Sequence, residues 1–416
     1  MTKHDEVSVY DRLVWPEGVL ETLLASGDRR RELIAYFGEE EYAQLVPVAR
    51  RAAAARPDPS RAVLLVPGIM GSQLGLRREP PLPNDLLWVD PYDFHQGGLL
   101  RLSLEHPGVE SMGPVLHGYL RLKLALTAEG FAVQSFDYDW RRSVADLGRR
   151  LANRLRAGPA ARWHLVCHSM GGLVARAALA HAGEHVHRIV TLGTPHAGAY
   201  APLQALRGVY GTVRRLAQLD PAHTAEELAQ RVFGGFPSLY DMLPRGASPD
   251  WLDAASWPAQ TPPPKAAEIT RAAAATWPEA PEQLICIAGY GQPTVTSARV
   301  EDDGLRYTID ADGDGTVPTP SAVLPGHACR YVALAHSELP RNREVALAVA
   351  ELLDTGRTSR LAGEVPAATP ATGIETTDAA LRALFTRKLD WQAMTAEERR
   401  AWLDSLNAPI ELPKEP

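Results

Sequence analysis

The sequence predicts an α/β fold in which a mostly parallel sheet is covered by helices on both faces. Short apolar runs such as AVLLVPG and WHLVC are typical of strands that are buried on both faces. Helical stretches lie between such runs, and one is marked by apolar residues at helical spacing, Val144, Leu147, Leu151 and Leu155. Because strands and helices alternate along the chain, we expect crossover units that build a parallel sheet.

The remaining elements follow from the same patterns in chain order. FAVQSFDYDW, HRIVTLG, QLICIAG and RYVALA are predicted strands, and LHGYLRLKLALTAEG, KAAEITRAAAAT and NREVALAVAELL are predicted helices. The Gly- and Pro-rich segment GSQLGLRREPPLPNDLLWVDPYDFHQGGLLRLSLEHPG has no clean period, so we expect an excursion above the sheet. Capping-box patterns at Thr224 with Glu227 and at Thr395 with Glu398 indicate two further helix starts.

These patterns divide the chain into four parts. Residues 1–58 are predicted to form a helical extension that ends at the turn-rich ARPDPSR. Residues 59–354 are predicted to form the α/β domain, in which residues 198–264 interrupt the rhythm and are expected to form an inserted cap. Residues 355–377, rich in Thr, Ala, Gly and Pro, are predicted to be a linker, and residues 378–416 a helical tail.

Composition narrows the class of protein. The 416 residues are 45% apolar with a formal net charge of −7 and no basic stripe, so we expect a globular protein without a nucleic-acid partner. The sequence shows no signal-peptide pattern and no run of about 18 apolar residues, which predicts a cytoplasmic protein. Cys167, Cys286 and Cys329 lie far apart without CxxC spacing, so we expect buried thiols rather than disulfides or a zinc site.

The strongest local signal for chemistry is LVCHSMGGLVAR. A serine between a buried strand and a helix, with small residues two positions before and after it, is the pattern of a nucleophile elbow. Gly171 fits this pattern, and Cys167 stands where a second glycine is usual. Ser169 is therefore the candidate nucleophile. The alternative is an ordinary serine that caps a helix.

A serine nucleophile needs a base and an orienting carboxylate, which in α/β-hydrolases follow it in the order Asp, His. DADGDGTVP offers three acidic residues, and AHSELP places His336 directly after the predicted strand RYVALA. Of the other histidines, His196 and His327 are weaker candidates. His168 adjoins the serine, but the sharp turn is expected to aim its side chain away.

The acidic run also matches the start of a calcium-binding loop, where acidic residues alternate and glycine makes the turn. The twelfth position of such a loop should be Glu and is Ser321, and Pro318 occupies the ninth. Calcium is thus the less favoured interpretation, and we expect neither a metal nor a cofactor.

A tetrahedral intermediate also needs backbone N–H donors for its oxyanion. One donor is expected from Met170, the residue after the nucleophile. The second is expected from the loop VPGIMGS after the first core strand, where Ile69 occupies the turn. A plain turn at the end of a strand is the alternative for this loop.

Several of these motifs occur together and in a fixed order: VPGIMGSQL, FDYDWR, CHSMGGLVAR, TLGTPHAG, FPSLYDMLP, DGDGTVP and a late His. The set resembles the lecithin:cholesterol acyltransferase family of lipases and acyltransferases, in its bacterial form, over roughly residues 61–353. The resemblance implies an α/β-hydrolase fold. It implies a triad of Ser169, Asp314 and His336, with Asp314 preferred to Asp312, and oxyanion donors at Ile69 and Met170.

Two further points follow from the resemblance. Residues 138–141, YDWR, correspond to a structural signature beside the sheet, which we interpret as packing. The secreted animal members carry disulfides and a signal peptide, neither of which is seen here, so activity on circulating lipoproteins is not implied.

The leading hypothesis is a serine hydrolase that cleaves lipid-like acyl esters through an acyl-serine intermediate, with acyl transfer to an alcohol as a second outcome. The cap is expected to supply an apolar acyl pocket from Leu203, Leu206, Tyr210, Phe233 and Phe236. The expected partner is a lipid or acyl ester, met in solution or by transient contact with a membrane surface. A thioesterase, amidase or peptidase of the same fold stays open, as does a non-catalytic scaffold whose terminal helices recruit a protein.

Overall fold

The computed structural model describes residues 17–79, 82, 84–258, 265–365, 373–406 and 408, and the ends of the predicted N-terminal extension and C-terminal tail lie outside these residues. The strands of the described part are β1 (Asp58–Val66), β2 (Ser72–Leu76), β3 (Asp85–Trp88), β4 (Val109–Pro114), β5 (Phe131–Ser135), β6 (Trp163–His168), β7 (Val186–Leu192), β8 (Leu284–Gly289), β9 (Thr294–Glu301), β10 (Gly304–Asp310), β11 (Ala328–Val332) and β12 (Ile374–Thr377).

The α-helices of the described part are α1 (Glu17–Ser26), α2 (Arg30–Phe37), α3 (Glu39–Ala54), α4 (Pro91–His95), α5 (Leu116–Ala128), α6 (Val144–Ala157), α7 (Met170–Ala182), α8 (Tyr200–Leu206), α9 (Gly211–Leu219), α10 (Ala225–Arg231), α11 (Pro237–Asp241), α12 (Ala266–Ala274), α13 (Thr319–Ala322), α14 (Arg343–Thr355), α15 (Asp378–Arg382) and α16 (Ala396–Ser405). Short 3-10 helices occur at Gly98–Leu102, Gly183–His185, Phe233–Gly235, Ala254–Ser256 and His336–Arg341.

A six-stranded sheet in the order β11-β8-β7-β6-β1-β5 forms the centre of the molecule, and every neighbouring pair in it is parallel. The predicted class is therefore confirmed. The strand order reverses direction at β1, because the chain adds β5 on one side and then β6, β7, β8 and β11 on the other. In open parallel sheets, sites form beyond the carboxyl ends of the strands near such a reversal.

The side chains of β1 alternate between two cores, as strand geometry requires. Val63 and Leu65 point into a cluster with residues of α5 and α14. Ala62, Leu64 and Val66 point into the larger cluster, which includes α6, α7 and the helices that follow β7. Both faces of the sheet are thus buried, which explains why its strands are apolar throughout rather than alternating.

The Gly- and Pro-rich segment after β1 carries more regular structure than predicted. Its strands form a three-stranded antiparallel sheet in the order β3-β2-β4. The YDWR signature packs against this region, because the indole of Trp140 donates to the carbonyl of Ser72 at 2.9 Å. Asp139 and Arg141 form a buried ion pair at 2.8 Å. These contacts agree with the prediction that the signature has a packing role.

The N-terminal helices α1–α3 share a buried cluster with the outer face of α5. Its members include Leu20, Leu24, Leu33, Phe37, Leu45, Leu116, Leu120 and Leu124. The three helices therefore cover the face of α5 that the sheet does not cover.

Residues 373–406 run back over the cap rather than away from the domain. Strand β12, at the end of the stretch predicted as a linker, pairs with β10 in a sheet of order β12-β10-β9. Buried Arg207 at the end of α8 forms an ion pair with Asp378, and the hydroxyl of Tyr307 donates to the same carboxylate at 2.8 Å. The ammonium of Lys388 donates to three carbonyls at or beyond the end of α9, those of residues 217, 220 and 223.

Both predicted capping boxes are present, at Thr224 with Glu227 and at Thr395 with Glu398. No helix within the described residues combines the length and apolarity that crossing a bilayer requires.

Candidate active site

Ser169 lies between β6 and α7 with φ 54° and ψ −128°, a backbone conformation that side-chain-bearing residues rarely adopt. Its amide donates to the carbonyl of Leu192 at 2.8 Å, which ties the turn to the end of β7. A side chain at Gly171 would be impossible, since an added Cβ would lie 2.4 Å from the carbonyl oxygen of Val66. The segment therefore has the geometry of a nucleophile elbow, which holds the serine above the edge of the sheet.

The loop after β1 packs directly against this turn. An added Cβ at Gly68 would lie 2.8 Å from the Cβ of Ser169, so glycine is required for the close approach. Ile69 follows Gly68 and lines the same cavity as the serine. Met170 begins α7, where the first amides have no partner within the helix. Of the two predicted oxyanion residues, Met170 thus directly follows Ser169 and Ile69 lines the same cavity.

Asp314 and His336 are hydrogen-bonded, with His336 Nδ1 and Asp314 Oδ2 at 2.7 Å. The carboxylate is fully buried. Its other oxygen, Oδ1, accepts the amides of Thr316 and Val317 at 3.0 and 2.7 Å. Because a carboxylate can only accept from these groups, Nδ1 of the imidazole carries a proton. When the imidazole is neutral, Nε2 is then the basic nitrogen.

Ser169 and His336 line one cavity of about 350 Å³ on the carboxyl side of the sheet. The serine hydroxyl is not hydrogen-bonded to the imidazole among the described residues, and nucleophile–base hydrogen bonds often tighten only once substrate is bound. The cavity is largely apolar, with walls from β3, α8 and the segment around α11 that include Trp88, Ala205 and Met242. The structure therefore brings a strained serine and a carboxylate-bound imidazole to the same largely apolar cavity.

His168 departs from expectation, because its side chain turns toward the site rather than away from it. Its Nε2 lies 3.0 Å from the carbonyl oxygen of His336, and its Nδ1 lies 2.9 Å from the hydroxyl of Tyr119. That hydroxyl also accepts the amide of Gly68 at 2.9 Å. Burial and the neighbouring His336 hold the pKa of His168 well below its usual value, so the ring is neutral.

These contacts fix the proton positions along the chain. The carbonyl can only accept, so Nε2 of His168 carries the proton and Nδ1 accepts from Tyr119. One line of hydrogen bonds thus joins the loop after β1, the elbow and the loop after β11. Sequence analysis missed both residues. For His168 the available signal was its position beside the serine, and for Tyr119 there was none.

The five residues predicted to form the acyl pocket are divided by the structure. Tyr210 and Phe233 line the cavity. Leu203, Leu206 and Phe236 are instead packed in the main core. The two leucines lie on the core side of α8, because its cavity side carries Ala201, Pro202 and Ala205. The helical repeat of α8 sets this choice of face, which the run of apolar letters does not reveal.

The other candidate histidines and the cysteines lie apart from this chemistry. His196 is buried against the thiol of Cys286, with its Nε2 3.8 Å from the sulfur, and His327 lies directly before the start of β11. Cys167 and Cys286 are buried as expected, whereas Cys329 is half-buried. Burial raises the pKa of the Cys167 thiol, which keeps it protonated. Across the described ranges, no group of three or more acidic, His or Cys residues is arranged to hold a metal ion.

Comparison with known proteins places similarity on the elbow region. A family model for a PGAP1-like alpha/beta domain matches residues 156–232, which include β6, α7 and the first helices of the cap. A search of curated proteins gave no significant match.

Several solved structures are similar at low identity. The Bacillus licheniformis lipase BlEst2 in its propeptide form is 17% identical with a TM-score of 0.37, over 72% of this chain and 51% of that one. Its mature form is 16% identical with a TM-score of 0.36, over 72% and 93% of the two chains. The product of gene lin2722 from Listeria innocua is 12% identical with a TM-score of 0.30, over 73% and 96%. The chain thus spans about half the length of the propeptide form of the lipase.

These likenesses extend no further than the fold. The parallel sheet, the elbow after β6 and the loops that follow β8 and β11 identify that fold as the α/β-hydrolase fold.

Proposed function

We propose that this protein is a serine hydrolase that cleaves acyl esters through an acyl-Ser169 intermediate. The observation that carries the proposal is the buried Asp314–His336 hydrogen bond, set beside the elbow serine in one apolar cavity. An imidazole whose Nδ1 is held by a carboxylate presents a basic Nε2, which is the form that can accept a hydroxyl proton.

In the acylation step, Ser169 Oγ attacks the ester carbonyl and Nε2 of His336 takes the hydroxyl proton. Negative charge develops on the carbonyl oxygen, and the amides of Ile69 and Met170 are the donors proposed to stabilise it. The intermediate collapses when the C–O bond to the alcohol breaks, and the imidazolium returns its proton to the departing oxygen. Asp314 remains ionised throughout and stabilises the imidazolium.

Deacylation repeats these steps with a new nucleophile. His336 takes a proton from water, the resulting hydroxide attacks the acyl carbon, and Ser169 leaves with the proton that the imidazole then returns. An alcohol in place of water would give an ester, which is acyl transfer.

The lining of the cavity supports an apolar acyl group as substrate. Aromatic and aliphatic walls remove an acyl chain from water, while the polar groups are concentrated around the reacting atoms. The ordered motif set from VPGIMGSQL to the late His also supports a lipid-like ester, because it resembles lipases and acyltransferases of the lecithin:cholesterol acyltransferase family.

A fluorophosphonate probe tests the nucleophile, since only an activated hydroxyl attacks phosphorus quickly. We expect the wild-type protein to be labelled once, at Ser169, as read by peptide mass spectrometry. Ser169→Ala should lose both labelling and hydrolysis of p-nitrophenyl esters while keeping its thermal unfolding transition.

Ser337 is the matched control for this experiment, because it lines the same cavity directly after His336. Ser337→Ala should still be labelled at position 169. Labelling of Ser169→Ala at the wild-type rate would place the nucleophile elsewhere and overturn the proposal.

A further inference from the structure

The helix α16 near the C-terminus presents one face to the cavity that holds Ser169 and His336. The residues of this face recur at the three- and four-residue spacing of a helix stripe: Ala396, Arg399, Arg400, Leu403 and Asp404. Leu406, directly after the helix, lines the cavity as well. A segment that begins 60 residues after His336 in the sequence thus forms part of the space around the candidate nucleophile.

The N-terminal half of α16 is held by contacts within its own segment. Thr395 and Glu398 form the capping box, and the guanidinium of Arg399 donates to the carbonyl of Trp391 at 2.9 Å. The rings of Trp391 and Trp402 pack edge to face at 5.7 Å, and both side chains belong to the main core.

The far end of α16 is fastened to two other helices whose residues also line the cavity. In one contact, Nε2 of His117 at the start of α5 lies 3.0 Å from the carboxylate of Asp404. In the other, the hydroxyl of Thr212 at the start of α9 donates to the carbonyl of Leu406. The end of the helix therefore joins α5 and α9 at the wall of the cavity.

We propose that α16 is a fixed outer wall of the acyl-binding site and that Leu403 and Leu406 set the length of acyl chain the enzyme accepts. This inference rests on the proposed function, because it names the part of the substrate that the wall contacts. The core packing of Trp391 and Trp402 and the two hydrogen bonds at its end join α16 to the rest of the molecule, so the helix forms a boundary of the cavity rather than a mobile cover.

The chemistry of the stripe indicates which part of the substrate lies where. Leu403 and Leu406 line the same cavity as Tyr210, Phe233 and Leu239, and these side chains are apolar groups available to an acyl chain bound to Ser169. Arg400 and Asp404 lie on the same face toward His117 and Arg341, where a polar leaving group can keep contact with water. The two leucines therefore limit the space available to the acyl chain of the substrate.

The test is the acyl-length profile of kcat/KM for p-nitrophenyl butyrate, octanoate, laurate and palmitate. Leu403 is half-buried and suits substitution in both directions. Leu403→Ala opens the wall and should shift the preference toward longer chains, raising the kcat/KM ratio of long to short ester by about tenfold. Leu403→Phe should shift it toward butyrate by a similar factor.

Glu397→Gln is the matched control, since Glu397 is exposed on the same helix and lies outside the cavity face. It should keep the parent profile. Leu406→Ala, a second variant at the other end of the wall, should shift the profile in the same direction as Leu403→Ala.

Labelling of Ser169 by a small fluorophosphonate separates this inference from the proposed function. Intact labelling with an unchanged acyl profile in the Ala and Phe variants would overturn the inference alone. A profile that responds only to the length of the alcohol, in a series of acetate esters, would also overturn it. Absence of labelling and hydrolysis in the unmodified protein would instead overturn the proposed function.

Discussion

The orientation of the Asp314 side chain is determined by the hydrogen-bond donors that surround it. Two backbone amides and one imidazole N–H are directed at a carboxylate that has no contact with solvent. These three donors fix the orientation of the carboxylate. Asp312, two residues earlier, is exposed. The structure therefore distinguishes two acidic residues that the sequence motif presents side by side.

Asp314→Asn should lower kcat by about 10⁴-fold, because an amide can donate to Nδ1 and so stabilise the wrong imidazole tautomer. Asp312→Asn is the matched control and should change kcat by much less. Steady-state kinetics on a p-nitrophenyl ester measure both. EDTA should leave the rate unchanged. Loss of activity with EDTA, together with a larger effect at Asp312, would favour the calcium loop instead.

His196 illustrates a residue whose effect is on stability. Burial, with smaller contributions from the charges of Arg176 and His327, lowers its pKa to about 3. The folded protein therefore keeps this imidazole neutral, while the unfolded chain binds a proton near pH 6.5. Stability is complete above pH 6.5 and falls as the pH is lowered toward 3, since the unfolded state then binds more protons.

For His196 this predicts a loss of about 2 kcal/mol in the free energy of unfolding between pH 7 and pH 5. Urea denaturation of His196→Gln should show a drop between these pH values that is smaller by this amount. His181→Gln, at an exposed position near the end of α7, is the control and should behave as the parent protein. Equal pH dependence in parent and His196→Gln would contradict the assignment.

At the scale of single residues, the sequence led to Ser169 and His336 because each follows a recognisable apolar strand, and the family resemblance selected Asp314 within DADGDGTVP. It did not lead to the orientation of His168, which depends on where Tyr119 lies. That hydroxyl comes from a helix 49 residues earlier in the chain. Local turn geometry predicts that a side chain beside the elbow points away, and a distant hydrogen-bond partner reverses this.

Among the elements, long periodic segments were predicted well. The helix marked by Val144, Leu147, Leu151 and Leu155 is present as α6, with all four side chains buried. Such a helix has apolar residues on one side and polar residues on the other. Its sequence pattern leaves no ambiguity, since the apolar stripe must face the core.

The hairpin β9–β10 was not predicted, although TVTSARVEDDGLRYTID contains the signal. Apolar and polar residues alternate in both strands, and the turn residues Asp302 and Asp303 precede Gly304. In the structure this hairpin receives β12 and so supports the C-terminal segment. The three-stranded sheet after β1 was missed for another reason, because irregular pairing and interrupting Pro and Gly residues hide its period.

On the scale of the whole molecule, sequence patterns could not predict where the C-terminal segment lies. Its contacts join residues about 170 to 290 apart, as in the pairs Arg207–Asp378 and His117–Asp404. A stretch rich in Ala, Thr and Pro predicts a linker from composition alone, and composition does not say what the next helix covers. The prediction of a cap from residues 198–264 therefore left out a segment that also surrounds the cavity.

The size of the cavity bears on the fate of the acyl group. After acylation, water and an alcohol compete for the same carbon, and water is present at about 55 M, so an alcohol wins only if the site binds and orients it. The volume of about 350 Å³ is near the lower end for pockets that hold one small ligand. If α16 limits the space for the acyl chain, little is left for a long-chain acceptor beside it. We therefore expect hydrolysis as the main reaction and transfer as a minor one.

Mass spectrometry of the products, with a phospholipid donor and a millimolar long-chain alcohol, measures the ratio of fatty acid to ester directly. Free fatty acid should exceed ester, and Leu403→Ala should raise the ester fraction by enlarging the space. An excess of ester with the parent protein would make transfer the principal activity and would require a separate acceptor site.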